Sequence, residues 1–271
     1  YDKLGLTDRQ YDILNLMLAR PEGIILVTGP TGSGKTTTLY SVLSHMNEES
    51  VNIMTLEDPV EYPITRIRQT SISDGSKIDF SDGVRSLMRQ DPDIILVGEV
   101  RDKDTAEMAF RAAMTGHQVF STLHTNSALR SFQRIKDLGV SPEVMAGNII
   151  GIIAQRLIRR LCRHCREPVE VVPGGVEARL MGEQAVGRQV YRPHPGGCEA
   201  CDYQGYKGRL AIMELLRMDG AIDELITRNA SLGELSAHAL AQGFSPIAED
   251  GLRRVLEGVT SIEEVGRVVD L

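Results

Sequence analysis

The sequence predicts an α/β fold in which a parallel sheet is covered by helices on both sides. Three observations predict it. Residues 24–27, Ile-Ile-Leu-Val, form a short, wholly apolar run of the kind found in strands buried on both faces. A glycine-rich turn and a helix come directly after that run. Further strand-like runs at 51–56, 94–97 and 119–122 then alternate with helix-like segments.

Taken in order, residues 1–20 read as a helix. Leu6, Tyr11, Leu14, Met17 and Leu18 recur near a 3.6-residue period, and Thr7 or Asp8 can cap its start. Pro21-Glu22-Gly23 breaks it before the first strand. Helices are expected at 35–46, 74–90 and 105–115. After about residue 128 the pattern changes. Residues 128–138 and 143–161 read as helices with no strand between them. Residues 162–210 read as irregular, being rich in proline and glycine. Short helices are expected at 222–228, 232–242, 248–257 and 262–269. The expected organisation is a lead-in helix over 1–20, an α/β core over 21–127, and a mostly helical region over 128–271 with a metal-binding insertion at 162–201. The chain begins at Tyr1 rather than Met, so a processed or a shortened chain is expected.

Composition narrows the function classes. At 271 residues the chain is long enough for one or two domains with a real core. Apolar residues make up 42% and charged residues 25%, which excludes the disordered and collagen-like classes. A net charge of −7 supplies no global field for a nucleic-acid backbone, and 4% aromatics without Trp supply no stacking platform. No apolar run approaches the roughly 20 residues needed to span a bilayer.

The strongest local signal is Gly29-Pro30-Thr31-Gly32-Ser33-Gly34-Lys35-Thr36, with Thr37 next, between the first strand and its helix. Glycines let successive amides turn inward at a phosphate, and the helix N-terminus adds its positive end. Lys35 can reach β- and γ-phosphates, and the Thr36 hydroxyl can bind Mg²⁺. Such a site needs acids nearby. The apolar run 94–97 ends in Gly98-Glu99, which makes Glu99 the candidate to orient attacking water or to contact Mg²⁺ through water. Glu57, Asp58 and Glu61 crowd the end of the second strand and would repel one another without a cation. Glu57 and Glu61 are therefore metal-side candidates, with Glu61 the rival base. His124 lies just past the fourth strand, where it can read a γ-phosphate. His117 lies at the strand's other end, roughly 16 Å away, as a capping or interface residue.

Cys162-x2-Cys165 and Cys198-x2-Cys201 form two knuckles separated by 32 residues. Two such pairs are the ligand set of a tetrahedral, structural Zn²⁺. A redox pair or incidental thiols are the alternatives. Arg156, Arg159, Arg160, Arg163 and Arg166 cluster beside the first knuckle, as a solvated basic face, an ion-pair surface or a phosphate contact.

Together these motifs resemble the secretion ATPases of type II secretion and type IV pilus assembly, in their C-terminal ATPase half. The resemblance covers essentially the whole chain. It rests on Gly29 to Thr36, Leu56 to Tyr62, Asp91-Pro92-Asp93 through Asp102, Thr115-Gly116-His117 through Asn126, and Gln155-Arg156-Leu157. It implies a RecA-like core with a parallel sheet, a hexameric ring, and ATP, Mg²⁺ and Zn²⁺ as cofactors. It also implies a cytoplasmic location peripheral to the inner membrane, with a platform protein and a cytoplasmic adaptor as partners, and no nucleic acid. Hydrolysis would drive pilin or pseudopilin polymerisation. The paired knuckles resemble the assembly branch, since retraction ATPases generally lack them. Family members carry a preceding domain that supplies arginines, so slow turnover is expected of this chain alone; Arg101 is the one candidate finger within it. The competing function classes are a nucleic-acid translocase of the same core and a nucleotide-dependent switch or scaffold.

Overall fold

The computed structural model describes residues 4–72 and 79–271. Its elements run α1 (Asp8–Leu18), β1 (Gly23–Thr28), α2 (Lys35–Met46), β2 (Ile53–Glu57), β3 (Arg68–Ser71), α3 (Phe80–Met88), β4 (Ile94–Val97), α4 (Lys103–Met114) and β5 (Gln118–Leu123). Next come α5 (Ser131–Asp137), α6 (Pro142–Met145), β6 (Ile149–Leu161), β7 (Glu167–Glu170), α7 (Val176–Met181), β8 (Gln189–Arg192) and β9 (Tyr206–Arg217). Four helices close the chain: α8 (Gly220–Thr227), α9 (Leu232–Ala241), α10 (Ile247–Leu256) and α11 (Ile262–Val268). No described helix is long and apolar enough to cross a membrane.

The chain divides into two compact units, residues 1–154 with 215–244 and residues 155–214 with 245–271. Residues 128–154 thus belong to the first unit, although the sequence pattern changes at 128. A seven-stranded sheet runs in the order β3-β2-β4-β5-β1-β6-β9. The pairs β2–β3, β2–β4, β4–β5, β1–β5 and β1–β6 are all parallel. Every residue of β1, β2, β4 and β5 is buried, as expected of strands with helices over both faces. Their side chains join those of α3 and α4 in one core that includes Leu26, Phe80, Ile95 and Phe110.

The expected elements before residue 128 appear with ends shifted by a few residues. Thr7 caps α1 in a reciprocal capping box with Gln10. The expected helix over 74–90 is seen as α3; residues 74–78 of it lie outside the described residues. The short polar edge strand β3 carries no apolar pattern and was not expected.

Beyond 128 two expectations fail. Residues 149–161 are a strand, β6, and not the end of a helix. Ile149, Ile150, Ile152, Ile153 and Ile158 are β-branched and favour extended backbone. The first eight residues of β6 are all buried, which erases the alternation that distinguishes a strand from a helix. Residues 162–210 are not irregular throughout: they contain β7, α7, β8 and the start of β9. The second unit therefore carries its own antiparallel pair, β7–β8, over a core that includes Ile158, Val190, Ile212 and Val265.

Candidate functional site

The parallel strands β1, β2, β4 and β5 end together, and the predicted residues sit at those C-terminal ends, where ligand sites of parallel α/β sheets gather. The register aligns Leu56 with Val97, Val97 with Ser121, and Thr28 with Leu123. The turn from Gly29 to Gly34 leaves β1 and enters α2. Gly32 and Gly34 hold φ of +81° and +84°, a region that L side chains avoid. Gly34 caps α2 without a side-chain bond. By contrast Thr7, Asp79, Asp102 and Ser141 cap α1, α3, α4 and α6 with their own oxygens. Gly34 thus brings no side-chain oxygen of its own to the first-turn amides of α2, and a helix start of this kind suits an anion.

The Lys35 ammonium folds back over this turn. It donates to the Gly29 carbonyl at 2.7 Å, the Leu123 carbonyl at 3.3 Å and His124 Nδ1 at 2.9 Å. An ammonium has no acceptor, so Nδ1 accepts and the ring proton sits on Nε2. Nε2 in turn donates to Glu99 Oε1 at 2.7 Å. Lys35, His124 and Glu99, from three separate elements, thereby form one hydrogen-bonded line. The Glu99 and His124 side chains are 28% and 48% exposed, so the line faces accessible space. The other Glu99 oxygen lies 3.9 Å from the Arg101 guanidinium, which also bonds Asp58 at 3.3 Å and lies over the Phe80 ring. Arg101 is engaged with acids of its own chain.

Gly98, standing where an acid precedes the glutamate in more usual strand ends, has a spatial reason. Its amide donates to the Leu56 carbonyl at 2.7 Å. A Cβ there would meet that carbonyl at 3.1 Å and Glu57 Cα at 3.3 Å. Glu99 is left as the single carboxylate of this strand tip.

Thr36, Glu57, Glu61 and Glu99 line one cleft of about 80 Å³. Their roles differ. Glu57 is buried and accepts from the Tyr40 hydroxyl, from Thr55 Oγ1 at 2.7 Å and from Gln69 Nε2 at 3.4 Å. Burial first, and then the bond to Glu57, push the Tyr40 hydroxyl up to about 12. Glu61 is exposed, and its amide donates to Tyr40 at 3.1 Å. A hydroxyl and three carboxylate side chains suit a hard divalent cation such as Mg²⁺. His117 stands apart: its Nδ1 lies 3.0 Å from the Ala112 carbonyl at the end of α4, which makes it a cap.

Sequence reading missed the residues that hold this site in place. Tyr40, Thr55 and Gln69 fix Glu57. Thr28 and Thr125 bond to each other, and Thr125 Oγ1 lies 2.9 Å from the fully buried Ser131 hydroxyl. These linked hydroxyls anchor the turn that carries His124. Only the position of Thr125 next to His124 offered a signal for them.

In the second unit the four cysteine sulfurs lie within 4.8 Å of one another. Cys162–Cys198, Cys165–Cys201 and Cys198–Cys201 are separated by 3.7, 3.9 and 3.9 Å. A tetrahedral Zn–S distance of about 2.3 Å sets sulfurs roughly 3.8 Å apart, so the cluster fits zinc. All four cysteines are free thiols. The Cys198 and Gly205 amides donate to Cys201 Sγ at 3.2 Å each. The bond from Cys198 leads in drawing the Cys201 thiol down to about 6, whereas burial leads in pushing Cys165 up to about 12. Four thiolates so close need a cation among them. Of the arginine cluster, Arg159 bonds Glu264 and stacks on Tyr206, and Arg156 is buried near Glu214.

Comparison with known proteins places the chain among its relatives. Type II secretion system protein E of Dickeya dadantii is 47% identical over 268 residues, covering 98% of this chain and 52% of that protein. The type IV pilus assembly ATPase TfpB of Acinetobacter baylyi is 46% identical over 272 residues, covering all of this chain and 46% of that protein. The chain thus spans about half the length of the curated relatives it matches. A crystal structure of the pilus retraction motor PilT with bound ADP superposes with a TM-score of 0.70 at 31% identity, covering 100% of this chain and 66% of that one. Residues 1–267 match the family described as type II/IV secretion system protein, and the chain belongs to that family.

Proposed function

We propose that this chain is the ATP-hydrolysing part of a motor that powers assembly of a type IV pilus or a type II secretion pseudopilus. The observation that carries the reading is the hydrogen-bonded line from Lys35 through His124 to Glu99 at the mouth of a phosphate-binding turn. The amides of Thr31, Gly32 and Gly34 cradle phosphate oxygens, while those of Gly29 and Ser33 hold the turn by donating to the Leu123 and Pro30 carbonyls; Lys35, Thr36 and Thr37 stand at the helix start. Lys35 leaves His124 for the β- and γ-phosphates of ATP. Glu99 then accepts a proton from the attacking water and orients it. His124, bonded to Glu99 and facing Lys35, reads whether a γ-phosphate is present. Thr36, Glu57 and Glu61 would hold Mg²⁺, which when bound screens the phosphate charge. Glu57 acts from a fixed position, because Tyr40, Thr55 and Gln69 hold its carboxylate.

Cys162, Cys165, Cys198 and Cys201 hold a structural Zn²⁺, since four thiolates leave no open position for a substrate. The family resemblance implies that the chain works as a homo-oligomer, hexameric in the longer protein, at the cytoplasmic face of the inner membrane. Its partners there are a membrane platform protein and a cytoplasmic adaptor. Glu99→Gln is expected to retain ATP binding and lower turnover by about 10²- to 10⁴-fold, the usual worth of a general base. Steady-state turnover beside equilibrium nucleotide binding checks this. Unchanged turnover would move the base to Glu61.

A further inference from the structure

The arginine cluster beside the first cysteine knuckle divides in two. Arg156 and Arg159 face Glu214 and Glu264. Arg160, Arg163 and Arg166 instead line a cavity of about 410 Å³ in the second unit, together with His164 and Lys207. Arg160 comes from β6 and Lys207 from β9, neighbouring strands. The one acid in the lining, Glu257, is taken up by Arg253 at 3.0 Å and Arg254 at 3.2 Å. Among the described residues, Arg160 and Arg163 make no ion pair.

Two of these cations are held against the wall. The Arg166 guanidinium donates to the Gly258 carbonyl at 2.5 Å and stacks 3.9 Å over the Tyr191 ring. Lys207 donates to the Ala200 carbonyl at 3.1 Å. Both are oriented before any ligand arrives, which lowers the ordering cost of binding one.

Charge decides what the cavity takes. Three arginines and a lysine give four positive charges. Cys162 lines the cavity too, and a zinc tetrathiolate carries two negative charges. About two positive charges remain. A phosphate monoester carries about −1.5 to −2 at neutral pH, and planar guanidinium groups match its oxygens. We infer that this cavity is a phosphate-binding site, distinct from the nucleotide turn, that takes either a free phosphate or the phosphate of a lipid headgroup.

The test uses the zinc-loaded chain carrying Lys35→Ala, so that the nucleotide turn does not report. Inorganic phosphate is titrated by calorimetry, and co-sedimentation is measured with vesicles of phosphatidylcholine with and without phosphatidic acid, whose headgroup is a phosphate monoester. One-to-one phosphate binding that weakens about tenfold or more in Arg163→Gln and Lys207→Gln is expected. Zinc content serves as the folding check, and Lys207→Gln, outside both knuckles, keeps the test informative if Arg163→Gln disturbs the metal. Binding to phosphatidic acid vesicles alone, lost in the same variants, supports the site and identifies a lipid source. No binding in either arm, or binding indifferent to both substitutions, overturns the inference.

Discussion

The nucleotide turn and the cysteine cluster are both built from loops at strand ends, yet they are organised in opposite ways. At the turn, Lys35, His124 and Glu99 bond to one another in a line that, in the proposed function, ATP breaks and replaces. At the cluster, three sulfur–sulfur separations of 3.7 to 3.9 Å match a filled tetrahedron, all four sulfurs lie within 4.8 Å of one another, and two amides fix Cys201. The first is an arrangement with exchangeable partners; the second leaves none to exchange. A site that must bind, react and release is expected to resemble the first, and one that holds a fold the second.

Removing the metal should break this contrast most sharply. The purified chain is expected to hold one zinc, and Cys162→Ser or a strong chelator should release it and unfold the second unit. Structural zinc sites are worth on the order of 10 kcal/mol in apparent binding. Metal analysis beside thermal melting checks this, and under half a zinc per chain would refute the structural assignment.

Acid should sharpen the contrast within the second unit. Burial pushes Glu264 up, but hydrogen bonds from Arg267 and Arg159 outweigh it and hold the carboxyl down to about 2. Its folded value lies below the unfolded one. Its contribution is therefore complete above the ordinary carboxylate range and is lost as pH falls through that range towards 2. Unfolding monitored between neutral pH and pH 2 should show this loss, and Glu264→Gln should flatten it.

The smallest effect tests the fixed acid of the first unit. Tyr40→Phe removes one donor from buried Glu57 and one acceptor from the Glu61 amide. A cost of about 1–3 kcal/mol is expected from denaturant unfolding. ATP turnover should fall far less than in Glu99→Gln, since Tyr40 only positions. Equal losses would mean that Glu57, not Glu99, carries the chemistry.

Legibility in the sequence depends on distance along the chain. Gly29 to Thr36 could be read because its chemistry depends on adjacent residues between a strand and a helix. Glu99 and His124 could be read because each stands just past the end of an apolar strand. The Tyr40–Glu57 and Thr28–Thr125–Ser131 contacts could not, because each joins distant segments through hydroxyls that carry no pattern. β6 was misread because burial on both faces removes the alternation that marks a strand. The cysteine spacing pointed to the ligand set, but not to the strands and helices that surround it.

The most direct measurement is a structure of this chain with a non-hydrolysable ATP analogue. Phosphates seated in the turn from Gly29 to Thr36, with Lys35 drawn off His124 and the Glu99 carboxylate facing the terminal phosphate, are expected. An empty turn, or an occupied one with Glu99 rotated away into solvent, would contradict the account.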